Sequence, residues 1–229
     1  MKLLAVETST DACSAALFVD GALQEHFELA PKQHTLKILP MIDSLMAEAE
    51  LNPNQLDALA LSRGPGSFTG VRIATSVVQG IAFGADLPVV PVSTLAAIAE
   101  PFFQMNPIEY AFTALDARMG EIFWGIYRNL HDQGVKLIGN ESVGVAATVN
   151  IPDSVISGIG IGSAWSVYHQ ELSTVLDDRL LDKQPDHWPR AAAIARLGVL
   201  GYQRQEAVPV EQAMPVYLRD KVAKKESER

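Results

Sequence analysis

The sequence predicts an α/β fold of two lobes, each with a mixed sheet flanked by helices. Three observations predict it: a βββαβαβα order of strand-like and helical segments before residue 104, a change to mainly strand runs past Pro107, and a late helical stretch at 188–205. Residues 1–104 are read as the first lobe and 105–187 as a smaller second lobe. The 188–205 helix is read as packing back on the first lobe, and 206–229 as a C-terminal extension with a flexible tail.

Residues 3–6 and 13–19 are strand-like runs joined across Thr8-Ser9-Thr10-Asp11, and Asp20-Gly21 turns the chain into a third run at 22–29. Three antiparallel strands therefore open the fold. Residues 34–50 are helical by period, with Pro40 as the expected kink. Asn52-Pro53-Asn54-Gln55 has the makings of a second helix start: Asn as N-cap, Pro in the first turn and Gln at the third position. A short strand is expected at 56–61, a helix at 67–83 stopped by Gly84, a strand at 89–92, and a helix at 93–103 capped by Ser93. Beyond Pro107 the runs at 111–115, 122–127 and 135–138 are separated by Arg118-Met119-Gly120 and Asp132-Gln133-Gly134. A glycine-rich stretch, SGIGIGSAW, follows at 157–165, and the late helix opens with Pro189.

Composition narrows the function classes. A chain of 229 residues that is 48% hydrophobic and 20% charged is ordinary globular material. A formal charge of −9 argues against free-standing binding to nucleic acid or anionic membranes, because neutralising phosphates takes clustered Lys and Arg. The basic cluster is Lys221, Lys224 and Lys225, in the polar tail. Cys13 is the single cysteine and sits among alanines, as an inert buried thiol would. With neither a signal peptide nor an 18-residue apolar run, the expected location is the cytosol and no membrane partner is expected.

Two stretches could hold an anion. GPGSFT at 64–69 joins a strand to a helix start, where free N–H groups and the positive end of the helix dipole meet, yet it lacks a Walker lysine and most Gly-Pro-Gly corners simply turn the chain. Glu7, Thr8, Ser9 and Asp11 form a polar turn with a carboxylate at each end, which could position magnesium-bound phosphate or be an ordinary turn. Ser67 stands in no nucleophile-elbow frame and reads as a helix N-cap. The five histidines lack the i, i+4 spacing of a zinc site, so no metal ligands and no catalytic residues are assigned.

The two helices flanking the corner are broadly apolar. At about 100 degrees per residue, Val71, Ile73, Ala74, Val77, Val78, Ile81 and Ala82 cover roughly half of one helix; Leu36, Ile38, Leu39, Met41, Ile42, Leu45, Met46 and Ala49 cover nearly as much of the other. Such arcs either bury deeply in the monomer or supply a partner interface.

Four segments carry a family resemblance: LLAVETSTDACSAALFVDG at 3–21, HTLKILPMIDSLM at 34–46, RGPGSFTGVRIATSVVQGIAFGADLPVVPVSTL at 63–95 and the PVYLRD ending. They resemble the bacterial TsaB family, also called YeaZ, along the whole chain and most densely before residue 100, with GPGSFTG-x-R-I close to a family signature. The resemblance implies an actin-like ATPase (ASKHA, ribonuclease H-like) fold. It further implies a role in making the threonylcarbamoyl modification of the adenosine beside the tRNA anticodon. There the family is the non-catalytic companion of TsaD in a direct heterodimer, the ATPase TsaE is a third member, and a separate enzyme supplies threonylcarbamoyl-AMP. Contact with tRNA would be indirect, and the chain alone would form a homodimer.

The paralogous TsaD family carries a histidine pair, HxxxH, after the same strand, corner and helix; PVSTLAAIAE here puts Thr94 and Ile98 at those places, and neither replaces imidazole. The resemblance therefore implies no cofactor on this chain, a metal on TsaD only, and ATP or ADP at most at the interface of the complex. The partner surface is assigned to Leu36, Leu39, Ile42 and Met46 on the first helix and to Phe68, Val71, Arg72, Thr75 and Val78 on the second, with Leu39, Met46, Val71 and Val78 nearest the joint. Two rival readings remain: a nucleotide-binding actin-fold kinase or transferase in its own right, and, ranked last, a glycoprotease-like peptidase.

Overall fold

The computed structural model describes residues 1–105 and 107–219; the tail expected to be flexible, with its lysine cluster, lies outside the described residues. Ten strands and six helices follow one another in the order β1(Lys2–Glu7) β2(Ala12–Val19) β3(Ala22–Leu29) α1(His34–Glu48) β4(Ala58–Ser62) α2(Phe68–Ala85) β5(Val89–Val92) α3(Thr94–Met105) β6(Tyr110–Arg118) β7(Glu121–Asn129) β8(Val135–Gly144) β9(Gly158–Ile161) α4(Ala164–Val167) α5(His169–Leu176) β10(Leu180–Gln184) α6(Ala191–Gln203) among the described residues.

They build two sheets of five strands, ordered β3-β2-β1-β4-β5 and β10-β9-β6-β7-β8. In the first, β1 pairs antiparallel with β2 and parallel with β4. In the second, β6 pairs antiparallel with β7 and parallel with β9. Each sheet is thus three antiparallel strands extended by two parallel ones, the same topology twice. This is the two-lobed α/β arrangement, each lobe with a mixed sheet flanked by helices, that the sequence predicts.

Alternation along β1 explains the layering. Leu4 and Val6 face one way with Leu17, Leu59 and Leu61, into a core closed by Ile38 and Leu45 of α1 and Ala74 and Val78 of α2. Leu3 and Ala5 face the other way with Ala58, Ala60 and Val90, under Ile194 and Val199 of α6. Because β1 and β4 are covered on both faces, they read as continuous apolar runs rather than alternating ones. α3 lies on the inner face of the second sheet with Leu95 and Ile98 against Ala111 and Ile161. Its outer face carries Trp165 of α4 and Leu172 and Leu176 of α5 against Phe112 and Trp124. Between the sheets, Glu100 of α3 and Arg196 of α6 meet in a two-pronged ion pair with both N–O distances 2.7 Å. Glu100 is buried, so this pair satisfies a charge that could not stand alone there.

Three local expectations differ from the structure. The helix start at 52–55 makes only one 3₁₀ turn, Pro53–Gln55, although Asn52 N–H donates to Gln55 Oε1 at 2.8 Å as a capping box would. Leu56 is already extended, and Asp57 N–H donates to Lys2 C=O at 2.8 Å, so strand pairing with β1 stops the helix. α2 runs through Gly84 to Ala85 and ends where Asp86 turns left-handed at φ 53°. α6 begins after Pro189, at Ala191, because its first N–H groups are capped from afar: Ala191 N–H by Ser14 Oγ at 2.9 Å and Ala192 N–H by Glu25 Oε1 at 2.9 Å.

Candidate functional site

The corner at 63–67 and the turn at 8–11 are packed against each other. Ser67 N–H donates to Ser9 C=O at 2.7 Å, Thr8 Oγ1 donates to Gly70 C=O at 2.7 Å, and Ser67 Oγ accepts a long 3.4 Å bond from Gly70 N–H as the cap of α2. A Cβ on Gly66 would stand 2.4 Å from Ser9 C=O, so the glycines of the motif are needed for the two backbones to approach. The two stretches that each could hold an anion thus satisfy much of one another's hydrogen-bonding capacity, and the Gly-Pro-Gly segment works here as a packed corner.

Beneath it lies a buried carboxyl. Glu7 Oε1 accepts from the Ser9 backbone N–H and from Ser9 Oγ, while Glu7 Oε2 and Ser62 Oγ have no hydrogen-bond partner. Burial lifts the Glu7 pKa from 4.5 to about 7, against the opposing pull of the Ser9 bonds. Thr94 Oγ1 donates to Ser9 Oγ at 3.1 Å, and both Thr94 and Ile98 are fully buried. Among the described residues no group of three or more His, Cys, Asp or Glu could hold a metal ion. Cys13 is buried on β2, and burial raises its thiol pKa to about 11.

Above the corner, between the sheets, is a cleft of about 630 Å³. It is lined by Ser9, Thr10, Asp11, Gly66, Ser67 and Phe68 of the first lobe, by the β6–β7 hairpin from Leu115 to Met119 with Ser163 and Ser166, and by Val216 to Arg219. Of the four residues of the candidate phosphate turn only Asp11 is exposed at this cleft; Ser9 borders it but is fully buried, as are Glu7 and Thr8.

The proposed partner surface divides. Leu36 is 72% exposed, Leu39 54% and Phe68 41%, and Arg72 is exposed. Ile42, Met46, Val71, Thr75 and Val78 are buried in the monomer, so three of the four residues expected nearest the joint are core. The cause is that α1 and α2 lie side by side on the same face of the first sheet, so each buries against the sheet and its neighbouring helix together. Sequence periodicity also has no means of finding the C-terminal segment that joins this surface. Gln79 Nε2 donates to Ala213 C=O at 3.1 Å, Val216 N–H donates to Arg63 C=O at 2.8 Å, and Arg72 Nε donates to Tyr217 OH at 2.9 Å. The PVYLRD ending, prominent in the sequence, gains its role from these contacts.

A polar cluster ties the lobes together. Glu141 on β8 accepts from Ser93 Oγ and from Tyr127 OH at 2.5 Å, and Arg63 stands 3.5 Å from its other oxygen. Burial, with the negative Glu141 beside it, holds the Tyr127 hydroxyl pKa well above the usual phenol value.

The family described as TsaD, tRNA N6-adenosine threonylcarbamoyltransferase, matches residues 26–227. The Escherichia coli protein named tRNA threonylcarbamoyladenosine biosynthesis protein TsaB is 38% identical over 97% of this chain and 96% of its own length. The Haemophilus influenzae protein of the same name is 35% identical over 97% and 95%. The solved structure of YeaZ from Pseudomonas aeruginosa superposes with a TM-score of 0.88 at 39% identity, covering 95% of this chain and 99% of that one. With full-length relatives above 30% identity and a solved neighbour of the same fold, the chain belongs to the TsaB family and carries a TsaD-type domain.

Proposed function

We propose that this protein acts in tRNA threonylcarbamoyladenosine biosynthesis as the non-catalytic subunit that docks onto and activates a TsaD-type transferase, with TsaE as third member. The names of its relatives support the pathway. The observation that carries the docking role is the outer surface of α1 and α2, where Leu36, Leu39 and Phe68 remain exposed, Phe68 with Tyr217 beside it. The non-catalytic role is supported by the threonine and isoleucine buried where the paralogous transferase has imidazoles. Two copies of the chain use the same surface when the transferase is absent. We assign no cofactor to the chain by itself. ATP or ADP belongs at the joint with the partner, and tRNA is met through the complex. The compartment is the cytoplasm; among the described residues no helix is long and apolar enough to cross a membrane.

The test is reconstitution. The purified chain, the TsaD-type subunit of the same organism, and both together are given tRNA and threonylcarbamoyl-AMP, and the mass of each eluting species is measured. Co-elution, with modification by the mixture and none by this chain alone, is expected. Turnover by the isolated chain, or separate elution with no activation, overturns the reading.

A further inference from the structure

The arginines of this acidic chain are nearly all spoken for. Among the described residues seven of them each hold a carboxylate, from Arg63 with Glu141 to Arg219 with Glu121. Arg204 instead donates to Gln133 C=O, and Arg72 holds neither a carboxylate nor a carbonyl, although acidic residues outnumber basic ones 27 to 18. Its guanidinium carbon lies 3.5 Å above the centre of the Phe68 ring and 5.6 Å from that of Tyr217, and its Nε donates to Tyr217 OH at 2.9 Å. The two terminal nitrogens, Nη1 and Nη2, have no partner among the described residues, and the side chain is exposed.

This is a pre-organised cation. Stacking on Phe68 sets the plane of the guanidinium, and the bond to Tyr217 sets its rotation within that plane, so little side-chain freedom is left to lose on binding. The fork that remains matches a carboxylate in two parallel hydrogen bonds. Phe68 and Tyr217, both partly exposed, and Met214 beside Gln79 supply apolar surface around it, which excludes water once covered and strengthens the charge pair. A nucleic-acid phosphate fits less well: α2 carries no second Lys or Arg, and phosphate binding draws on clustered cations.

We propose that Arg72 is the receptor for a carboxylate side chain on the protein that docks against α1 and α2. The proposal rests on the reading above, in which that protein is the TsaD-type subunit. Arg72 would then be a specificity anchor within an otherwise apolar contact.

The experiment measures the dissociation constant for the TsaD-type subunit by calorimetry with the full chain and with Arg72→Gln, Arg72→Lys, Tyr217→Phe and Leu39→Asp, each checked by thermal unfolding. Arg72→Gln and Arg72→Lys are expected to weaken binding by about tenfold or more with unchanged unfolding, since a lysine keeps the charge but not the fork. Tyr217→Phe, which removes only the brace, should weaken it by a smaller factor. One Asp→Asn or Glu→Gln change in the partner should match the Arg72→Gln loss and add nothing to it in the double variant. Arg72 variants that bind normally while Leu39→Asp abolishes binding overturn the anchor and leave the docking reading standing. Normal binding by Leu39→Asp as well removes both. Weakened Arg72 variants that couple to no partner carboxylate, or that lose tRNA affinity in the complex instead, overturn the carboxylate assignment.

Discussion

Gly70 and Thr8 hold each other at a range that no other residue at 70 would allow. The Thr8 hydroxyl donates to Gly70 C=O at 2.7 Å, and a Cβ on Gly70 would stand 2.1 Å from the Thr8 carbonyl oxygen. The obstacle is backbone, which cannot swing aside as the end of a long side chain can. Gly70→Ala is therefore expected to destabilise the fold by about 1–3 kcal/mol or more, as overpacking does. Gly84→Ala, on the same helix but with open space around it, should gain stability or leave it unchanged, because glycine is the poorer helix former. Urea unfolding of the two variants checks the contrast.

Glu7 should make stability depend on pH in an unusual direction for a carboxylate. Its folded pKa is raised, from 4.5 to about 7, so between these values the native state binds more protons than the unfolded chain. Stability then falls as pH rises through this window, and the loss is complete above about pH 7. In Glu7→Gln that slope disappears, because the amide stays neutral and its oxygen still accepts from Ser9. The variant should match the parent near pH 4.5 and exceed it at pH 8 by about 3 kcal/mol at most. Parallel unfolding curves for both proteins at both pH values would remove Glu7 as the source.

Val71 and Leu39 should respond to charge in opposite ways. Val71 is 3% exposed, and Val71→Glu places an unpaired charge in the core, which is expected to cost several kcal/mol and unfold the monomer. Leu39→Glu should change thermal unfolding by at most about 0.5 kcal/mol, since the site faces solvent, and should abolish co-elution with the TsaD-type subunit. A folded Val71→Glu protein, or an unfolded Leu39→Glu protein, would contradict the division of this surface.

Tyr127→Phe removes one donor from Glu141, which is buried between the lobes. Hydrogen bonds to charged groups contribute about 1.5–3 kcal/mol, so a loss of that order is expected. Calorimetric unfolding should also become less cooperative, because Ser93 and Arg63 on the other lobe share the same carboxylate.

Much of the architecture is legible in the sequence because local signals and tertiary demands agree. Strands at β1 to β3, helices α1 and α2, and the return of α6 follow from periodicity, turn residues and caps. Two of the misses share a physical character: a distant group settles a local choice. Lys2 C=O ends the helix that Asn52 begins, and Ser14 and Glu25 cap α6 from more than a hundred residues away. At the site, the period of α1 and α2 marks which positions are apolar but not which neighbour covers them. Val78 faces the sheet and Val71 is buried beside Gly64 of the corner, whereas Leu36 and Leu39 are exposed. Nothing local indicates that Tyr217 will reach Arg72.

The position of α6 bears on how the chain is made. The sheet that begins at Lys2 has Leu3, Ala5 and Ala60 on the face that α6 covers, and that helix spans Ala191–Gln203. During synthesis those apolar side chains leave the ribosome long before their cover exists. The nascent first lobe must wait, one face bare, while the whole second sheet is translated, and at about 5–20 residues per second that interval is several seconds or more. A chaperone that shields apolar strands would find its natural client in this interval rather than in the finished protein.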